Sequence, residues 1–317
     1  MKYIKRKLIL SVFMLLVTVL TLSSTTYAWF VKNREAWLDE FNLDIENTEG
    51  LLISTDGINF SQDISKEQII EAIEAKTNKL YTDLSFDGVT LSHTQDENIE
   101  FKNGNPVFLK DSLSLIENTD YYSHSLIECD SSDYIAFDLY FRVITTGAQH
   151  KDYTLRLNQS SYIEASDINL TLQNNLNTKD KTYSSGETLT INPKNAMRLG
   201  VMYNDNMAIY EPNLGLGSAA IEGSLIDEHN KDLNAMYTYY NSTHPLSKFT
   251  TAAIDGKGFE TIREFGNEEY GVFTYSNDQN TYNTIKLSIF VWLEGWDADY
   301  LMGVPVTNIK IKLGFII

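Results

Sequence analysis

The chain has 317 residues, a formal charge of −18 and a single cysteine, Cys129. A surface this acidic repels nucleic acid and anionic lipid, so the composition argues against a nucleic-acid partner. A lone cysteine excludes an intrachain disulfide, and a protein of this size must then be held together by its own core.

The first 28 residues predict a helical signal peptide. Basic residues precede an apolar run from Leu8 to Leu22, and Thr26 and Ala28 supply small residues before a cut at Trp29. The run is shorter than the roughly 20 residues that a spanning helix needs. Cleavage by a signal peptidase is therefore predicted, with an uncleaved membrane anchor as the alternative. Removing this leader, which holds four basic and no acidic residues, lowers the formal charge from −18 to −22.

The segment after the predicted cut is rich in aromatic residues, which water does not tolerate at a free end. Such a segment must be buried in the chain's own sheet or in the sheet of another copy. An open sheet edge provides main-chain hydrogen bonds and pockets for alternate side chains. We therefore predict an N-terminal assembly segment that contains Trp29, Phe30, Val31, Trp37 and Phe41.

Short strands and tight turns come next in the chain. Strands are predicted at Phe41–Glu46 and Leu51–Ser54, and "GLLISTDGINF" predicts a hairpin because Asp56-Gly57 favours a tight turn. Asp87-Gly88 and Asp255-Gly256 predict two further turns of the same kind.

One helix is strongly predicted, over "SKEQIIEAIEAKTNKLY". Ser65 and Gln68 form a capping box, and Ile69, Ile70 and Ile73 follow as an apolar stripe. A weaker helical pattern lies in "KDLNAMYTYY".

Three long segments alternate between apolar and polar residues. They are "YIAFDLYFRVIT", "TIKLSIFVWLEG" and "NIKIKLGFII", with polar residues such as Asp138, Arg142, Lys286 and Ser288 on the second face. Period two over such lengths predicts half-buried antiparallel strands. Shorter strands are predicted at Tyr153–Asn158, Thr188–Ile191 and Met197–Tyr203.

These patterns predict an all-β, mainly antiparallel fold with one or two short helices and long loops. Two packed antiparallel sheets of this kind make a β-sandwich or jelly roll. The domain is predicted to span residues 29–317, with a polar, loop-rich insertion around residues 170–280.

Catalytic motifs are scarce in this sequence. The histidines form no H-E-x-x-H pattern, and there is no nucleophile elbow, Walker loop or C-x-x-C pair. In "WLEGWDADYL", Glu294, Asp297 and Asp299 are candidate calcium ligands because calcium binds several hard oxygens. A glycosidase carboxylate pair is the enzymatic alternative. Trp292 and Trp296 are a candidate glycan-stacking platform, or a cap on the end of the sandwich.

Two stretches carry a family resemblance. "TTYAWFVKN" at the predicted cut and "SIFVWLEGWDAD" near the end resemble exported Gram-positive proteins with a SipW-dependent signal peptide, distantly like TasA and camelysin. The resemblance implies a jelly-roll protein at the cell surface. It also implies that the N-terminal segment of one subunit becomes a strand in its neighbour, giving a filament.

The leading hypothesis is therefore a non-enzymatic, secreted surface or biofilm-matrix protein of a Gram-positive bacterium. Its expected partners are a signal peptidase and copies of itself or other matrix proteins. A surface adhesin or glycan-binding module is the second hypothesis, using Trp292, Trp296 and the tyrosine-rich "MYTYYNST". A secreted hydrolase is the third. No cofactor is expected apart from calcium.

Overall fold

A computed structural model describes fifteen segments of the chain, which together hold the sheets discussed below. They are residues 38–45, 50–77, 89–92, 99–115, 122–131, 133–144, 151–172, 176–177, 182–191, 194, 197–210, 262–263, 268–277, 280–294 and 309–317. The predicted leader, the second helix at 231–240 and the turns at 87–88 and 255–256 lie outside these residues.

The described residues form one α-helix and twenty-two strands, so the fold is all-β. The helix is α1 (Lys66–Thr77). The strands are β1 (Leu38–Ile45), β2 (Leu51–Ser54), β3 (Val89–Leu91), β4 (Phe101–Lys102), β5 (Asn105–Pro106), β6 (Phe108–Leu115), β7 (Tyr122–Glu128), β8 (Ile135–Val143), β9 (Tyr153–Leu157), β10 (Tyr162–Glu164), β11 (Ile168–Thr171), β12 (Leu176–Asn177), β13 (Thr182–Tyr183), β14 (Thr188–Ile191), β15 (Met197–Tyr203), β16 (Asn206–Tyr210), β17 (Ile262–Arg263), β18 (Glu268–Phe273), β19 (Tyr275–Ser276), β20 (Thr281–Tyr282), β21 (Ile285–Leu293) and β22 (Ile309–Ile316).

Two large sheets organise the molecule. One has the strand order β17-β16-β15-β21-β8-β2, and the other runs β1-β22-β9-β18, with β10 pairing beside β9 on β22. Pairing is antiparallel apart from β1 with β22 and β16 with β17, which are parallel. The predicted antiparallel character therefore holds for most of the described pairs, and these two parallel pairs depart from it.

The two large sheets share one hydrophobic core. The buried faces of β8 and β21 in the first sheet and of β9 and β22 in the second belong to a single cluster. The rings of Phe141 and Phe315, one from each sheet, lie 4.6 Å apart between centroids. Ile69 and Ile73 of α1 also contribute to this core. The alternation predicted for β8 and β22 is confirmed, because their apolar positions face inward.

A third, smaller layer covers the outer face of the six-stranded sheet. The sheet β3-β6-β7 brings Phe108 against Trp292 of β21, with 5.2 Å between ring centroids. Phe290 and Met202 belong to the same second cluster. Consequently β21 is buried on both faces apart from Lys286, and the prediction that it is half-buried is wrong. Ser288 does lie on the face opposite the shared core, as predicted, but it is buried there and bonds to Asp138.

The predicted helix and hairpin are both found. In α1, the Ser65 amide donates to Gln68 Oε1 (2.9 Å) and the Gln68 amide donates to Ser65 Oγ (3.3 Å), which is the expected capping box. The hairpin is closed by reciprocal backbone bonds between Ile53 and Ser61, of 2.8 and 2.9 Å. Its return strand is a single bridge, and within the loop the amides of Gly57 and Ile58 donate to Ser54 Oγ (2.9 Å) and Asp56 Oδ1 (2.8 Å).

The polar region predicted as an insertion around residues 170–280 contributes to both large sheets. Its strands β15 and β16 lie inside the six-stranded sheet, and β18 lies at the edge of the five-stranded sheet. Short strands β11 to β14 form two small hairpin-like sheets beside them. The region therefore supplies core strands as well as loops.

Candidate functional site

The first candidate site is the edge of the five-stranded sheet, where β1 pairs with β22. The two strands run parallel, with Leu38 opposite Ile309 and Ile45 opposite Phe315. Phe41 lies opposite Ile311, so its backbone is part of this ladder. The other predicted residues of the assembly segment, Trp29, Phe30, Val31 and Trp37, and the predicted cleavage residues Thr26 and Ala28 lie outside the described part of the chain.

The far side of β22 is paired with β9 and β10, which follow one another in the chain. Phe315 lies opposite Leu157 of β9, and Ile311 lies opposite Ile163 of β10. Between these strands the Gly314 amide donates to Ser161 Oγ (3.1 Å), and the Asn158 amide donates to the Gly314 carbonyl (2.8 Å). With this side of β22 occupied, β1 covers the remaining edge of an eight-residue strand.

The other edges of the two large sheets are short or interrupted. In the six-stranded sheet, the edge strands β2 and β17 have four and two residues. In the five-stranded sheet, β18 carries an irregularity between Glu269 and Gly271, and it begins with two glutamates. Short strands, bulges and charges are the usual protection against edge-to-edge pairing. The ladder between β1 and β22 also has an irregularity, between Leu38 and Glu40, but it is the longest of these edge ladders.

The second candidate site lies at the end of β21, where a calcium ligand was predicted. Glu294 is 2% exposed, and its Oε2 accepts a hydrogen bond from the indole Nε1 of Trp292 at 3.1 Å. Asp297, Asp299 and Trp296 lie outside the described residues. Within the described segments, no three His, Cys, Asp or Glu side chains are grouped so that they could hold a metal ion. Glu294 therefore has a structural hydrogen bond, and the calcium hypothesis depends on residues that are not described.

Trp292 does not form a glycan platform in this structure. Its side chain is 1% exposed because Phe108 of the third layer packs against the indole ring. A sugar stacks on an accessible ring face, and this ring has none. The prediction for Trp292 is therefore wrong, since the strand signal of β21 gave no sign of a layer on its second face.

Sequence reasoning missed a polar cluster on the outer face of the six-stranded sheet. Asp138 of β8 accepts hydrogen bonds from Ser288 Oγ of β21 at 2.6 Å and from Lys76 Nζ of α1 at 2.5 Å. Lys286 Nζ lies 2.9 Å from the other carboxylate oxygen of Asp138. The sequence signal was present for three of its four members, because Asp138, Lys286 and Ser288 were all placed on polar strand faces.

The charges of this cluster stabilise one another. Burial raises the pKa of Asp138, but hydrogen bonds from Lys76, Ser288 and Lys286 outweigh burial and hold the pKa below its usual value. Burial lowers the pKa of Lys286, and its bond to Asp138 outweighs that effect and raises the pKa. Asp138 thus stays ionised and ties α1 to two central strands of the sheet.

Comparison with known proteins gives no match for this chain, whether to a protein-family model, a curated protein or a solved structure. Of the helices in the described segments, none combines the length and the apolar character that a membrane crossing requires.

Proposed function

We propose that this chain is an exported surface or biofilm-matrix structural protein that self-associates by exchanging its N-terminal strand between copies. In this proposal residues 1–28 are a helical signal peptide, and the two large sheets are the body of a jelly roll. The protein is then non-enzymatic, and it is secreted to the surface of a Gram-positive bacterium. The resemblance of "TTYAWFVKN" to SipW-dependent exported proteins agrees with this assignment.

The observation that carries the proposal is the position of β1. This strand follows the predicted cut site by nine residues, and among the strands of the described segments it lies at a sheet edge and pairs with β22 alone. A terminal edge strand leaves without opening the rest of the sheet, and a β1 strand from another copy offers the same bonds in the same register. Exchange of identical strands therefore changes the connectivity of the ladder and preserves its contacts.

Open polymers follow from this exchange in a simple way. If each copy gives β1 to one neighbour and accepts β1 from another, the contact is head-to-tail and does not need to close into a ring. The short or bulged edges of the other strands limit random sheet-to-sheet pairing, so association would be directed to β22. The high negative charge keeps the unassembled chain soluble.

The proposal is tested with two single substitutions, Phe41→Pro and Asn42→Pro, in the mature chain. Successive N–H groups of a strand point to opposite sides, so the two prolines differ in whether they remove a donor from the ladder with β22. We expect one variant to lose polymers in electron microscopy and sedimentation, whereas the other keeps them and serves as its matched control. Polymers in both variants at wild-type levels, or a wild-type protein that stays monomeric at all concentrations, would refute strand exchange.

A further inference from the structure

The direction of the β1–β22 pair constrains where two exchanging copies must touch. Because the strands are parallel, the exit of β1 at Ile45 lies beside Phe315, near the end of β22. Only residues 46–49 separate Ile45 from Gly50, where the next described segment begins. A fully extended chain spans at most about 3.6 Å per residue, so Gly50 lies within about 18 Å of Ile45. This inference rests on the proposed strand exchange.

The same limit applies when β1 is bound to a second copy. The body of the donor, starting at Gly50, must then lie close to the Phe315 end of the acceptor's β22. A distant docking geometry is excluded, since the connection is too short to reach it. Exchange therefore creates a new contact between the two bodies in addition to the ladder itself.

An exposed isoleucine marks the donor side of this contact. The Ile144 amide donates to the Gly50 carbonyl at 2.8 Å, which places Ile144 directly at the point where the connection from β1 enters the body. Its side chain is 52% exposed although it follows the fully apolar inner face of β8. Exposure alone does not set Ile144 apart, since Ile58 is more exposed, but Ile144 lies at the connection, where a second copy that holds β1 could bury it.

The acceptor side also offers aliphatic surface. Ile316 is half-buried at the end of β22, next to the position that Ile45 of β1 occupies, and it lies opposite Arg156 of β9, whereas the following Ile317 packs partly on the shared core. Beside them, Arg156 and Glu269 form an exposed ion pair with 2.7 Å between Nη2 and Oε1. This arrangement gives an apolar centre with a polar rim, as is usual for protein interfaces.

We propose that Ile144 of the donor packs on Ile316 at the end of β22 in the acceptor, forming the contact between the bodies of neighbouring copies. The partner is a second copy of this chain, because the short connection from β1 brings that copy to this place. The contact would set the angle between successive subunits, whereas the strand ladder would supply most of the affinity.

The test compares the mature chain with Ile144→Glu, using Ile58→Glu and Ile127→Glu as matched controls. Ile58 and Ile127 are 79% and 41% exposed and lie on the hairpin loop and on β7, away from the connection. We expect Ile144→Glu to raise the concentration needed for polymers by about tenfold in light scattering, since a buried contact of one aliphatic side chain is worth about that factor. The controls should assemble like the wild type, and urea unfolding should show that all four proteins are folded.

A crosslinking measurement tests the same contact without the glutamate variant, so its result does not depend on how that variant folds. In a Cys129→Ser background, copies with only Ile144→Cys are mixed with copies with only Ile316→Cys, and a short bismaleimide is added. A crosslinked mixed dimer supports the proposal. If the wild type polymerises, but Ile144→Glu assembles equally well and no mixed dimer forms, the contact is refuted while strand exchange stands. If the wild type remains monomeric, both proposals fall.

Discussion

Neutralising Asp138 should destabilise the protein more than its partial exposure suggests. In Asp138→Asn the side chain keeps its size but loses the charge that pairs with Lys76 and Lys286. The bond to Lys76 carries most of the effect, because both side chains are only 19% exposed. A hydrogen bond to a charged group contributes about 1.5–3 kcal/mol, whereas the more exposed Lys286 adds less. We expect the free energy of unfolding to fall by about 2 kcal/mol.

The assay is urea unfolding followed by circular dichroism, with Asp152→Asn as a control at an exposed carboxylate. Asp152 lies just before β9, and its neutralisation should change the stability by less than about 0.5 kcal/mol. A loss for Asp138→Asn as small as that of the control would refute the anchoring role assigned to this cluster.

The pH dependence gives an independent check on the same residue. The pKa of Asp138 in the folded protein is lowered from its ordinary value of 3.8, so its contribution is fully present above that value. It is lost only as the pH falls through the lower, folded pKa. The gap between wild type and Asp138→Asn should therefore stay constant from pH 7 to about pH 5 and shrink below about pH 4. A gap that closes already between pH 7 and pH 5 would contradict a lowered pKa.

Two further substitutions test the packing around the candidate sites. Gly50→Ala should cost at least 1–3 kcal/mol in thermal or urea unfolding, because Gly50 has φ +78° and an added Cβ would lie 1.7 Å from the Ile144 carbonyl oxygen. Gly186→Ala is the control for Gly50→Ala, because Gly186 has φ +85° and open space around the added carbon. An equal loss of stability in the two variants would show that the protein relieves the clash at Gly50. Trp292→Phe should cost about 2–3 kcal/mol, because it removes buried ring volume and the N–H donor to Glu294. Unchanged stability would mean that this end of β21 repacks freely.

The strands that were predicted correctly are those whose environment is encoded locally. In β8 and β22, apolar residues alternate with polar ones, and one face meets the shared core as the pattern indicates. The helix α1 was also predictable, since its capping box and apolar stripe lie within one short segment. The second buried face of β21 was not, because it depends on Phe108 from a strand that is distant in the sequence.

The candidate sites depend on relations that no local pattern contains. The polar faces of β8 and β21 placed Asp138 and Ser288 correctly, but only the packing of α1 shows that Lys76 completes the cluster. Likewise, the alternation of β22 predicts which of its faces is buried, but it does not say which strands pair along its edges, that β1 is one of them or that this pair is parallel. This ambiguity has a physical origin: a β1 strand from the same copy and one from another copy present identical residues to β22. In the proposed exchange, what distinguishes the two is the short connection at residues 46–49 and the surface around Ile144 that it would bring near the acceptor, so variants at Ile144 separate the two arrangements where variants in the ladder do not.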